Sequence, residues 1–228
     1  MKRLFLILIL ALLAVSVFAQ GDVTTFLGIP VDGYKSEMKQ KLASKGFIQR
    51  IVGDNEFFEG EFNGTDVNIY IGTNNNKVYR LMLCDTHTQD EANIKIRFNK
   101  LVRQFENNKR YVCFSDQTLS EDVDISYEMS VHSKNFDAMF FQAPDMEKAD
   151  TLALQKMVLD ELQSKYTSEQ LQNPTEEISQ DVQAVSVKVA MDLLYKKPVW
   201  FRISEHYGEY YITMFYDNEY NHADGEDL

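Results

Sequence analysis

The sequence predicts an α+β fold, an antiparallel sheet with helices packed on one face. Three observations carry that expectation. Strand signals arrive in runs joined by short polar turns, with helices between the runs. Helix followed by an antiparallel meander occurs twice: the pattern Met38 to Leu42 before Gly46-Phe47 is paralleled by Phe98 to Leu101 before Lys109-Arg110-Tyr111. That reads as two tandem helix-plus-meander repeats with a helical insertion. The closing stretch, Phe201 to Leu228, contains a hairpin that turns through Glu205 to Glu209, where Gly208 supplies the backbone freedom. Its returning run, Tyr210 to Tyr216, carries large side chains on both faces, as a strand inside a sheet does.

In chain order, residues 1–19 read as a secretory signal. Lys2 and Arg3 precede an apolar run from Leu4 to Val15, and Val17-Phe18-Ala19 sets cleavage before Gln20. A retained anchor is the competing reading, but the run is short for a membrane span. The chain is therefore expected to be exported, periplasmic or extracellular, with no stable membrane insertion after cleavage. Residues 20–143 form the two helix-plus-meander units and 144–197 the helical insertion. Residues 198–228 form the closing hairpin and acidic tail of the same domain.

Phe26 to Val31 is an extended entry, and Asp32-Gly33 turns into a helix sharing Met38 and Leu42 on one face, closed by Gly46, after which Phe47 begins the next extended piece. Lys35, Lys39, Lys41 and Lys45 read as its solvated side. Three strands follow: Phe57–Phe62, a run with Val67, Ile69 and Ile71 alternating, and Val78–Cys84. Asn63-Gly64 and Asn74 to Asn76 are the turns. Thr88 with Glu91 reads as a capping box for a helix with Ile94, Phe98, Leu101, Val102 and Phe105 on one face. Tyr111–Phe114 is a short strand. Val123, Ile125, Tyr127, Met129 and Val131 alternate strictly, which predicts another, and Asn135–Gln142 pairs back. Met146–Tyr166 reads as a helix. Asn173-Pro174 starts the next, with Ile178, Val182, Val185, Val189 and Leu193 as its stripe.

Without Lys2 and Arg3, the 23 basic side chains become 21 against 35 acidic ones, a net charge near −14. Such a field repels nucleic acid and anionic lipid and suits basic partners. Two cysteines in an exported chain, Cys84 and Cys113, predict one disulfide. The four histidines stand in no nucleophile motif, and there is no G-x-S-x-G elbow. The acidic stretch from Asp217 onward lacks the glycine of a calcium loop, because His222 occupies its sixth place. No Gly-rich phosphate loop appears, and no cofactor or metal is expected. Asn63-Gly64-Thr65 is a sequon and also a strong hairpin turn. Asp150-Thr151-Leu152 matches a three-residue O-glycosylation pattern.

Alternation also sorts the two faces of the sheet. Val67, Ile69, Val199, Phe201, Ile203 and Ile212 point toward the helices. Tyr70, Trp200, Arg202 and Tyr211 then share the outer face, and Tyr, Trp and Arg are the residue types that dominate binding hot spots. The alternative is that the helical insertion covers that face and these aromatics are core.

FLGIPVDGYKSEMKQKLASKGF, residues 26–47, and YYITMFYDNEYNHADGEDL, residues 210–228, resemble the terminal signatures of a family of uncharacterised secreted proteins from Bacteroides-type bacteria. That resemblance implies export and no assigned activity. The repeated helix-plus-meander order is similar to proteins like the beta-lactamase inhibitor protein, and the helical insertion departs from that plan. The functional expectation is an exported, non-enzymatic module binding a protein or small molecule. Two alternatives stand beside it, a proteinaceous enzyme inhibitor and an enzyme with a carboxylate site near Asp217 and Glu219.

Overall fold

The computed structural model describes residues 22–143 and 151–222. The expected signal segment, the start of the insertion at Pro144 and the tail from Asp224 lie outside the described residues. The fold is α+β, with an eight-stranded antiparallel sheet, a two-stranded ribbon and six helices among the described residues. The ribbon pairs β1 (Thr25–Phe26) with β2 (Ile29–Pro30).

The chain contacts divide into two units, one made of Val23–Ala143 and the segment from Tyr195 on, the other of the helices between them. In the first unit, helix α1 (Lys35–Ser44) is followed by β3 (Ile48–Val52), β4 (Asn55–Phe62), β5 (Thr65–Asn74) and β6 (Lys77–Asp85). Helix α2 (Glu91–Glu106) is followed by β7 (Tyr111–Val112), α3 (Ile125–His132), β8 (Asp137–Gln142), β9 (Pro198–His206) and β10 (Glu209–Asp217). The strand order is β3-β4-β5-β6-β10-β9-β8-β7. Two helix-plus-meander repeats thus abut through their last strands, and β10 sits inside the sheet between β6 and β9. Each repeat closes on a two-residue turn with both φ angles positive, Asn75-Asn76 (47° and 64°) and Tyr207-Gly208 (52° and 81°). That twist matches the flanking strands.

Helix-side residues form one core. Met38 and Leu42 of α1 pack there, as do Ile94, Phe98, Leu101, Val102 and Phe105 of α2. Against them lie Ile69, Leu81, Leu83, Phe140, Phe201 and Ile212 of the strands. Phe201 is fully buried and meets Phe98 edge-on, with ring centroids 5.0 Å apart. Burying one such side chain stabilises by about 2–3 kcal/mol.

The structure corrects several local expectations. Each repeat has four strands; the extra one in the first is β3, whose residues are all exposed and carry no buried alternation to read. Residues 125–132, expected as a strand, form α3. Asp124 accepts a hydrogen bond from the Tyr127 backbone N–H, and the Glu91 carboxylate accepts one from the Ile125 N–H, so the first turn is held from outside. Of its residues only Ile125 is buried, so the alternation has no sheet face behind it. Asp90, not Thr88, caps α2, since Glu91 is engaged with α3 and the Thr88 hydroxyl donates to Glu209. Lys35 and Lys39 are not merely solvated, because both pair with Glu56.

The second unit comprises α4 (Thr151–Gln163), α5 (Ser168–Gln172) and α6 (Glu176–Leu194). Leu162, Leu171, Ile178, Val185 and Val189 make its own small core. Val185 and Val189 are buried while Val187 is exposed, which is helical spacing. Asn173 ends α5 and Thr175 starts α6, with its hydroxyl accepting from the Ile178 N–H.

Candidate functional site

The outer face of the eight-stranded sheet is the candidate. Cross-strand partners in an antiparallel sheet share a face. Tyr70 lies opposite Met82, Met82 opposite Phe215, Phe215 opposite Trp200, and Trp200 opposite Met139. Phe57 extends the row at the β4 end, its ring centroid 5.7 Å from that of Tyr70. One apolar row therefore crosses six strands. Phe57, Tyr70, Met82 and Trp200 are half-buried, Phe215 is buried and Met139 is exposed. The Trp200 ring stacks on Phe215 at 3.9 Å between centroids and 16° between planes. The Arg80 and Arg202 guanidinium carbons lie 5.6 and 5.0 Å from the Trp200 ring centroid. Stacking and cation–π contact hold the indole in one orientation.

Charges flank the row and are closed within the face. Arg80 donates through Nε and Nη2 to the two Asp217 oxygens, at 2.6 and 2.8 Å. The Trp200 Nε1–H donates to Asp217 Oδ2 at 2.8 Å. Arg80's own hydrogen bonding to Asp217 pushes its pKa up, against the effect of its burial. Arg202 pairs with Asp137 at 2.9 Å and Arg50 with Glu59 at 2.7 Å.

The four residues expected on this face, Tyr70, Trp200, Arg202 and Tyr211, are all on it. Tyr211 lies opposite Ser204, two residues along from the Arg202–Thr213 pair. Burial pushes the Tyr70 phenol pKa up, with smaller contributions from Cys84 and Tyr211 nearby. Phe57, Met82, Phe215 and Met139 were missed as members of the row. Alternation along Tyr210–Tyr216 does put Phe215 on the face of Tyr211 and could have put Met82 outside, but which strands neighbour one another is not a local property.

The expected disulfide is absent: Cys84 and Cys113 are free thiols. Cys84 is on β6 and Cys113 follows β7, with β10, β9 and β8 between those strands. Four strand spacings of about 4.8 Å are far beyond the reach of a disulfide. Cys84 faces outward, opposite Thr213, whereas Cys113 packs against the helix-side core. Burial pushes the Cys84 pKa up.

Asp217 and Glu219 do not stand as a free carboxylate pair. Both Asp217 oxygens are bonded, and Glu219 adds to the field that raises the Arg80 pKa. Among the described residues no cluster of three His, Cys, Asp or Glu side chains could hold a metal ion. Asn63 lies in the β4–β5 turn with φ 54°, and its side-chain amide donates to Gln104 at 2.8 Å. No helix among the described residues is long and apolar enough to cross a membrane.

The fold and this face define an antiparallel α+β protein with an aromatic row on the sheet face opposite α1, α2 and α3. Compared with protein families, curated proteins and solved structures, the chain finds no match.

Proposed function

We propose that this chain is an exported, non-enzymatic binding protein that recognises its partner through the outer face of the sheet. One observation carries the reading: an apolar, largely aromatic row from Phe57 to Met139, in which Trp200 is held by Phe215, Arg80 and Arg202. A rigid aromatic that keeps part of its surface exposed loses little conformational freedom on binding, which makes it an efficient anchor. The flanking charges are paired within the face, so contact there is chiefly apolar and aromatic. Tyr211 and Arg202 supply the polar rim. The partner is a protein, and the net negative charge of the chain favours one with basic flanks.

The test is affinity capture from the exported fraction of the producing cells, with the unaltered protein, Trp200→Ala and Tyr211→Ala side by side. Trp200→Ala is expected to reduce capture about 30-fold, the effect of losing a hot-spot tryptophan, and Tyr211→Ala less. Identical partner sets and yields for all three would refute the reading.

A further inference from the structure

The two edges of the sheet are finished differently. At one end, β7 is two residues long, and the chain after it stays near. Gln117 bonds the Met139 backbone through both its amide groups, and Asn99 bonds Leu119. At the other end, β3 is five residues long, Ile48-Gln49-Arg50-Ile51-Val52, and every one is exposed. Ile48, Ile51 and Val52 are 56%, 69% and 64% exposed. Among the described residues no strand pairs with the second side of β3. It has no proline or lysine, its one charge, Arg50, is paired with Glu59 of its own chain, and its register with β4 is unbroken by a bulge. Proteins ordinarily blunt a free edge with one of those devices, because a row of unpaired backbone N–H and C=O groups is a template for another strand.

We infer that β3 is a self-association edge, pairing antiparallel with β3 of a second copy of this chain so that the two sheets continue into one. Three features select a second copy over a different partner. First, the strand is self-complementary about Arg50: Ile48 then faces Val52 of the second copy, and Gln49 faces Ile51, at both ends of the pairing. Second, the edge carries no excess negative charge within an acidic chain. The two carboxylates level with β3 are Glu56 and Glu59. Glu56 is held by Lys35 and Lys39, and Glu59 by Arg50 at 2.7 Å. Lys39 is the chief cause of the lowered Glu56 pKa. A basic partner finds no excess negative charge there, while two copies meet where their mutual repulsion is weakest. Charge farther off is screened over about 8 Å at physiological salt. Third, Arg50 faces its own counterpart, and each guanidinium arrives with its own carboxylate. The pairing covers only about 17 Å of strand, well short of the roughly 800 Å² per partner of a stable interface. The association is therefore weak and concentration-dependent, with a Kd on the order of 0.1 mM.

Sedimentation velocity on the purified protein, from well below to well above that concentration, reads it directly. The expected result is a reversible monomer–dimer shift that Ile51→Lys weakens at least about 10-fold, since an edge lysine opposes strand pairing. Ile96→Lys, at an equally exposed isoleucine on α2 (66%), leaves it unchanged. Arg50→Cys reports the register, because directly opposite residues lie about 4.5–5.5 Å apart between Cα atoms, inside disulfide reach. On mild oxidation it is expected to give a covalent dimer through residue 50. A protein that stays monomeric throughout overturns the inference. So does a dimer that survives Ile51→Lys, or one that Ile96→Lys disrupts equally.

Discussion

The two faces of the sheet each hold a buried aspartate bonded twice by an arginine, and the two pairs serve different ends. On the helix side, Asp85 at the end of β6 receives Arg97 of α2 through Nε and Nη2, both at 2.6 Å, and the Ile212 backbone N–H at 3.2 Å. That pair ties a helix to the sheet inside the core. On the outer side, Asp217 at the end of β10 receives Arg80 of the neighbouring strand and the Trp200 indole. No helix is tied there; the pair fixes the position of a tryptophan. One pair lies within the core, and the other lies on the face that carries Trp200.

The largest effect is expected where the helix side is densest. Phe201→Ala removes a fully buried ring packed on Phe98, Phe105 and Phe140. It should cost about 3–5 kcal/mol in chemical denaturation, typical of a phenylalanine cavity. A loss below about 1 kcal/mol would mean that the core is looser than described.

The two aspartates give the next and sharper contrast. Asp85→Asn leaves Arg97, whose side chain is 18% exposed, without its charge partner and should cost about 3–4 kcal/mol. Asp217→Asn leaves Arg80, which is 26% exposed and can reach water, so about 2–3 kcal/mol is expected. The sharper difference is in Trp200. Asp217→Asn should alter its emission, whereas Asp85→Asn should not. Equal fluorescence changes would erase the distinction between the faces.

The smallest effect belongs to the periphery. The hydrogen bond from Lys39, opposed by burial and aided by Lys35, holds the Glu56 carboxyl below its ordinary pKa of 4.5. A lowered folded-state pKa stabilises above the unfolded value, and the contribution fades as pH falls through the folded one. Glu56→Gln should therefore flatten the stability profile just below pH 4.5, by at most about 1 kcal/mol after solvent screening. An unchanged profile would mean that the two lysines do not hold the carboxylate in solution.

Much of the sheet was legible because its core strands alternate. Ile69, Phe201, Ile203 and Ile212 point inward as their spacing says, and Asn75, Asn76 and Gly208 take the positive φ angles their residue types favour, whereas Tyr207 at φ 52° gives no such signal. Reading failed where the deciding contact is distant in sequence. Residues 125–132 alternate like a strand, but Glu91, 34 residues earlier, supplies the acceptor that starts a helix there. The stretch after Phe47 reads as extended, but β3 does not count among the strands in the sequence because an edge strand exposed on both faces leaves no hydrophobic period. The cysteine pairing followed compartment and count, neither of which contains the strand order that separates Cys84 from Cys113. The outer face was half legible: alternation chose Tyr70, Trp200, Arg202 and Tyr211, while the continuous row needed β6 and β10 to be neighbours.

Trp200 is the chain's single tryptophan, so its fluorescence reports on the outer face without a label. The decisive measurement is acrylamide quenching of that emission with and without a captured partner at saturation. Recognition through this face predicts a shift to shorter wavelength and a clear fall in quenching when the partner binds. A saturated complex whose tryptophan emits and quenches as in the free protein would place the contact elsewhere and contradict the account.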